Sequence, residues 1–368
     1  MARAELTILI LAGVSMALGV VLTRIVLSYG RSNELLDTSG APGHEKVLRG
    51  VPNIGGIAIF AAITLPLIAL LIWASAGSAH ELAGAIREDR YALAVLIVSL
   101  FGLHALGLID DRKPLPALPK LAAMTFLATV PVALLDIRLL TLFDTQPGGV
   151  LLSTLLSILW ILAITNAINF LDNMDGVCAG ITTIIGAVLL VIALRTGDLA
   201  SATLMAGVAG SSLGFMVWNR PRALIFMGDG GSLVLGFALA VTSVRLTYFD
   251  ANQSESPWTA VFVPLAVFAV PVYDLVSVIV IRISQGKSPL VGDQQHFTHR
   301  IRKRVLSDRR TLFIVLGCAI VTGMSGLLML SLPPALAPVA GMQVLLILII
   351  LAVYERGMVR TRSEVSGL

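Results

Sequence analysis

Charge is what this chain most lacks. Asp, Glu, Lys and Arg make up only 13% of its 368 residues, against roughly 25% in a soluble domain. Hydrophobic residues make up 57%, and the mean hydropathy is +0.91. That scarcity excludes an ordinary soluble domain and leaves a polytopic membrane protein. Cysteine is almost missing too. Cys178 and Cys318 both lie in or beside apolar runs, so no disulfide framework is implied, and no Cys/His spacing supports structural zinc. Internal repeats and low-complexity tracts are also lacking. The net charge of +4 and pI near 9.3 read as loops facing the cytoplasm and anionic lipid, not as a nucleic-acid surface.

A helix needs about 17–25 apolar residues to cross ~30 Å of hydrocarbon. The sequence predicts eleven such spans, near 6–26, 54–73, 91–109, 121–135, 151–170, 176–194, 199–217, 230–246, 258–281, 311–330 and 335–354. The first reads as a retained span: it is too long for a signal-peptide core, and no small-residue cleavage site precedes Arg31. An N-terminus outside and a C-terminus in the cytoplasm leave only Arg3, Arg87, Arg90, Arg138, Arg195 and Arg245 outside, and put the other twenty of the 26 basic residues inside. The expected fold is therefore an all-α polytopic membrane protein with about eleven spans. It forms one integral membrane domain over 1–368, with cytoplasmic loops near 27–53, 110–120, 170–176, 218–229 and 282–310.

Four polar clusters interrupt the apolar runs, and this orientation brings all of them to the cytoplasmic side. Carboxylates and amides at a bilayer edge are costly to desolvate, so each cluster calls for a reason. Asp110 and Asp111 end the third span; two adjacent carboxylates near low dielectric need a cation, and Mg²⁺ with phosphate oxygens would serve. A solvated helix end beside Arg112 and Lys113 is the plainer alternative. Asn166, Asn169 and Asn173 are spaced to share a helix face, extended by Asp172 and Asp175, and could equally be interhelical glue. The third cluster runs from Asn219 to the Phe226-Met-Gly-Asp229-Gly-Gly-Ser232 turn, which opens a helix; glycines allow close backbone approach, and a helix N-terminus favours phosphate. The fourth, Asp293-Gln-Gln-His296-Phe-Thr-His299-Arg300, sits in a basic loop and suits phosphate or diphosphate recognition.

At these residues the chain resembles the polyprenyl-phosphate N-acetylhexosamine-1-phosphate transferases, the MraY/WecA type, over nearly its whole length. The resemblance runs through Gly43-His44, Val51-Pro-Asn-Ile-Gly-Gly56, Leu108-Ile-Asp-Asp111, Asn169-x-x-Asp172-x-x-Asp175-Gly176 and Phe226-Met-Gly-Asp229-x-Gly-Ser232. It continues through Pro271-Val-Tyr-Asp274, Arg282, Gly286-x-Ser288-Pro289 and His296–Arg300. It implies Asp110, Asp111 and Asp229 as catalytic acids, with Asp229 and Asp111 holding Mg²⁺ (or Mn²⁺ in its place). It implies Asn169, Asp172, Asp175 and Asn219 in the nucleotide pocket, and Phe226 stacked on uracil. His296, His299 and Arg300 would hold the diphosphate or sugar, with Arg49 and Lys120 as phosphate partners. Thr298 stands where the family commonly has another histidine, which leaves His296 and His299 as a pair. The WecA-like branch is favoured, and with it GlcNAc.

The expected reaction takes a UDP-N-acetylhexosamine and polyprenyl (undecaprenyl) phosphate in the inner leaflet to polyprenyl-diphospho-sugar and UMP. This would start a lipid-linked glycan at the bacterial inner membrane. A homodimer is compatible with the sequence, and no nucleic acid is involved. The rival reading is an ion-coupled transporter or lipid flippase, against which stands the gathering of acids at one face.

Overall fold

The chain, seen in a computed structural model, is described over residues 2–35, 50–246, 259–288, 295–333 and 336–356. Among these residues every regular element is helical, as lipid demands of any segment that must satisfy its own backbone. The chain falls into two compact units, Met1–Thr247 and Tyr248–Leu368, and each is taken by itself.

The first unit holds α1 (Ala2–Ser32), α2 (Gly55–Ser75), the short α3 (Glu81–Glu88), α4 (Arg90–Arg112) and α5 (Ala117–Leu135). It also holds α6 (Gly149–Phe170), α7 (Val177–Thr196), α8 (Leu199–Asn219) and α9 (Asp229–Arg245). Helices α8 and α9 form its centre and are buried over nearly their whole lengths. Small residues make that possible. A Cβ at Gly214 of α8 would meet the Met16 carbonyl and come within 2.9 Å of the Val20 amide of α1, so the two backbones touch with nothing between them. The outer helices turn large apolar side chains outward, among them Leu9 and Ile10 of α1, Phe101 of α4, Phe126 of α5 and Leu159 of α6. On a water-soluble protein such a surface would be an aggregation site; here it is the lipid-facing surface.

Helix α5 begins at Ala117, four residues earlier than its apolar pattern suggests, because Pro116 at the cap and Pro119 in the first turn lack only N–H groups that have no helical partner there. At the end of the bundle remote from Asp111, Arg245 closes α9 with bonds of 2.8 Å to Asp198, the N-cap of α8, and 2.7 Å to Asp89, between α3 and α4. Arg87 donates there to the Ala74 and Ser78 carbonyls, and Arg138 pairs with Asp136 and Asp144. Burial pushes the Asp198 carboxyl up, but the Arg245 guanidinium and the Ser201 donors outweigh it and hold the group below its usual range.

The second unit holds α10 (Thr259–Val267), α11 (Ala269–Ser284), the basic α12 (Phe297–Val305), α13 (Asp308–Met329) and α14 (Ala337–Arg356). The expected unbroken span at 258–281 is corrected here: α10 and α11 part at Phe268 with a bend of 80°. Pro271 cannot donate to the carbonyl of Val267 and its ring collides with that carbonyl, so the helix stops and restarts. Among the described residues nine helices are long and apolar enough to cross a membrane, or ten if the bent pair is one span. Helix α9, with 17 residues, is about 25 Å long. The chain is a multi-pass helical membrane protein.

Two outcomes follow from these contacts. Gly214→Val forces α1 off α8 and is expected to lower the thermal unfolding midpoint in detergent by several degrees, since overpacking costs roughly 1–3 kcal/mol; an unchanged midpoint would mean the helices are not in contact there. The folded Asp198 carboxyl lies below its unfolded value of about 3.9, so its contribution is present above that pH and lost as pH falls through the depressed folded value. The midpoint gap between wild type and Asp198→Asn should therefore stay flat from pH 7 to about pH 4 and close below it.

Candidate active site

The first turn of α9 organises the site. Its N-cap, Gly228, has φ +69° and ψ 176°, a conformation open essentially only to glycine. A Cβ there would also strike the Asp111 carboxylate and Asn53 Oδ1. The turn sends the first α9 N–H groups toward α4, where Asp111 accepts from Asp229 N at 2.9 Å and Gly230 N at 3.1 Å. A carboxylate on a helix N-terminus satisfies orphan donors and opposes the positive end of the dipole. Asn53 Nδ2 donates to Asp111 Oδ1 at 3.2 Å, while His104, stacked on Phe60, lies 2.7 Å from the Gly230 carbonyl. The chain before α9 pairs with the segment before α2: Phe226 N donates to Pro52 O, Gly55 N to Phe226 O and Gly56 N to Met227 O. Asp172 accepts from Gly228 N at 3.1 Å.

Against this frame three side chains close on one point. Lys120 Nζ, reaching from the first turn of α5, lies 2.9 Å from Asp110 Oδ2 and also bonds Asp229 Oδ2. Asp110 Oδ1 is held by Leu115 N at 2.7 Å. Asn169, on the last turn of α6, donates to both Asp229 Oδ1 and Ser232 Oγ at 2.8 Å. The Asp110 and Asp229 side chains are 17% and 23% exposed, so the pair is open to a ligand.

Asp110, Asp111, Lys120, Asn169, Asp172 and Asp229 are thus brought together. Asp175 lies to one side, 9% exposed, and accepts from Arg222 N and Ala223 N. Asn219 is 3% exposed; its amide accepts from Gly176 N and donates to Ile225 O, tying two loops together. Phe226 is half-buried with its backbone pinned on both sides. Arg49 lies outside the described residues. The polar stripe expected on one helix face is corrected. Helix α6 stops at Phe170, so Asn173 folds back on the Phe170 carbonyl, Asn166 bonds Leu162 O, and only Asn169 faces Asp229.

The expected metal pair also changes. Among the described residues no group of three His, Cys, Asp or Glu side chains is placed to hold a metal. Asp111 is turned onto the α9 amides and Asn53, and does not converge with Asp229 on a shared point. Asp110 and Asp229 do converge, and two hard carboxylates with room for phosphate oxygens and water suit Mg²⁺.

In the second unit, His296 is the N-cap of α12 and Arg300 lies one turn on. The Arg300 guanidinium is engaged by Glu355, Ser277 and the Gln295 carbonyl, which makes it a latch between α12, α11 and α14. Burial lowers the His299 imidazole from its usual value, and His296 and Arg302 push the same way, so it is neutral at pH 7. Asn53 and His104 had no part in the sequence reading of the chemistry. His104 had a legible signal, since it stands two helical turns before Asp111 and shares its face. For Asn53 only its place beside a Gly-Gly pair hinted at contact.

Residues 93–247, which carry all three catalytic-acid candidates, match the family described as glycosyl transferase family 4. A probable undecaprenyl-phosphate N-acetylglucosaminyl 1-phosphate transferase of Bacillus subtilis (strain 168) is 27% identical over 84% of this chain and 80% of its own length. A decaprenyl-phosphate N-acetylglucosaminephosphotransferase of Mycobacterium tuberculosis (strain ATCC 25618 / H37Rv) is 31% identical over 72% and 68%. A phospho-N-acetylmuramoyl-pentapeptide-transferase of Lactobacillus acidophilus is 27% identical over 66% and 73%. Fold and site together define a helical membrane protein with an acidic centre at one end of its bundle. The chain belongs to glycosyl transferase family 4, the superfamily of polyprenyl-phosphate N-acetylhexosamine-1-phosphate transferases.

The two neighbouring aspartates should separate in one measurement. Asp111→Ala leaves the α9 amides without their acceptor and is expected to lower the unfolding midpoint clearly, a loss of roughly 1–3 kcal/mol. Asp110→Ala, with one backbone donor and an exposed partner, should leave the midpoint nearly unchanged. Equal midpoints for both variants would contradict the anchoring role.

Proposed function

We propose that the chain transfers GlcNAc-1-phosphate from UDP-GlcNAc to a polyprenyl phosphate, undecaprenyl phosphate in the first instance, and releases UMP. The supporting observation is the convergence of Asp110, Asp229 and Lys120 at the α9 N-terminus, inside the segment that matches the family. The relatives named for GlcNAc-1-phosphate transfer to undecaprenyl or decaprenyl phosphate favour that donor over a muramyl-pentapeptide. The reading includes eleven spans, an N-terminus outside, and a site on the cytoplasmic face of a bacterial inner membrane. Grouping Asp89, Asp198 and Arg245 at one end of the bundle and the acidic centre at the other agrees with that orientation.

An oxygen of the lipid phosphate attacks the donor's β-phosphorus, the bond from that phosphorus to the bridging oxygen breaks, and UMP leaves with the bridging oxygen. A phosphate monoester has its second pKa near 6, so the nucleophile is largely a dianion at neutral pH and needs little help from a base. Positioning and charge therefore carry the rate. Lys120 offers its ammonium to the incoming phosphates, Asp110 and Asp229 orient it, and Asn169 fixes the Asp229 carboxylate. Mg²⁺, held by Asp229 and Asp110, would supply screening of the diphosphate charge. Asp111 keeps the α9 turn in register, Asp172 and Phe226 border the nucleotide, and His296 and His299 contribute from the second unit.

Purified protein given UDP-GlcNAc, undecaprenyl phosphate and Mg²⁺ should release UMP. Asp229→Asn and Lys120→Met should each reduce the rate at least tenfold while the protein inserts normally. Wild-type turnover in both variants, or no UMP from the wild-type protein with any UDP-sugar, would refute the assignment.

A further inference from the structure

Asp274 of α11 has 0% exposure and stands on a helix that is otherwise strongly apolar. A carboxylate so placed is destabilising unless its oxygens find donors. Both donors come from the start of α12. Asp274 Oδ1 accepts from Phe297 N at 2.8 Å, which satisfies an orphan amide of the α12 first turn. Oδ2 lies 2.8 Å from His296 Nδ1, and the His296 side chain is itself only 8% exposed. An ionised carboxylate only accepts, so the shared hydrogen must be on Nδ1. Asp274 thereby settles both the angle of the ring and which of its nitrogens carries hydrogen. A backbone cap alone would have needed one oxygen; the second is committed to the imidazole.

We propose that Asp274 is a positioning residue for transfer: it holds His296 with hydrogen on Nδ1, so that Nε2 is the nitrogen offered to substrate. The inference rests on the reading of His296 as a substrate contact. It has the logic of any buried carboxylate that orders an imidazole, where the matching amide keeps the shape and reverses the hydrogen. In Asp274→Asn the side-chain oxygen can still accept from Phe297 N, while the amide NH₂ faces Nδ1 and drives the hydrogen to Nε2. Shape, cap and burial persist; only the ring's donor and acceptor are exchanged. A purely structural Asp274 would tolerate that change.

The test uses the full-length protein in detergent, with ¹⁵N-labelled histidine and the His296 signals assigned by their loss in His296→Gln. Wild type should show the Nδ1–H form, and Asp274→Asn the Nε2–H form at an unchanged unfolding midpoint. With UDP-GlcNAc as the probe, Asp274→Asn should lower kcat/KM at least tenfold, and adding it to His296→Gln should cause no further loss, because both changes act through one ring. Asp274→Glu should recover part of the rate. Hydrogen on Nε2 in the wild type, a full rate in Asp274→Asn, or additive losses in the double variant would each overturn the proposal. Absence of UMP release by the wild type would strike the functional reading instead, and the ring-nitrogen measurement would still decide whether Asp274 orders His296.

Discussion

The Asp111 carboxylate on the first amides of α9 is the contact on which the site depends. A helix start inside a protein carries N–H groups that need acceptors, and here one aspartate on a neighbouring helix supplies them at 2.9 and 3.1 Å. Because Asp229 is the first residue of α9, fixing those amides also fixes its carboxylate, and with it the distances to Lys120 and Asn169. Asn53 steadies Asp111 from the side, and His104 steadies the Gly230 carbonyl from within α4. An acidic centre that looks from the sequence like three equivalent carboxylates is therefore divided by geometry. One aspartate builds the floor, and two face what lies above it.

This division explains what the sequence could and could not reveal. Apolar runs located the helices well because lipid imposes one requirement on every span. The runs failed where a local rule intervened: Pro271 breaks the helix at Phe268 without making the segment any less apolar, so hydropathy could not register the bend. The clustering of acids was legible in the same way, as polar residues at the ends of apolar stretches. Their individual duties were not. Asp110 and Asp111 are adjacent in the chain and about 100° apart around a helix, and only the position of α9 decides which of them meets its amides.

The amides show the same limit. Asn169 and Asn219 look alike in sequence, each at the end of a span beside a glycine-containing loop. Asn169 reaches Asp229 and is half-buried, whereas Asn219 ties Gly176 to Ile225 in a closed interior. What separates them is tertiary packing around a loop, which no spacing rule encodes. Arg300 is a parallel case in the second unit. It lies in a basic loop and would be taken for an anion ligand, yet its donors are drawn to Glu355, Ser277 and a carbonyl.

The elbow between α10 and α11 has one more consequence. Interrupting a helix at membrane depth frees carbonyl groups that hydrocarbon cannot solvate. Gly326 of α13 lies against that corner, where a methyl group would come within 2.7 Å of the Val267 side chain and 3.3 Å of the Val263 carbonyl. A third helix thus roofs the corner and keeps lipid tails away from it. The second unit can therefore hold a sharp turn without opening a polar wound in the bilayer, and α13 becomes as necessary to that turn as the prolines that cause it.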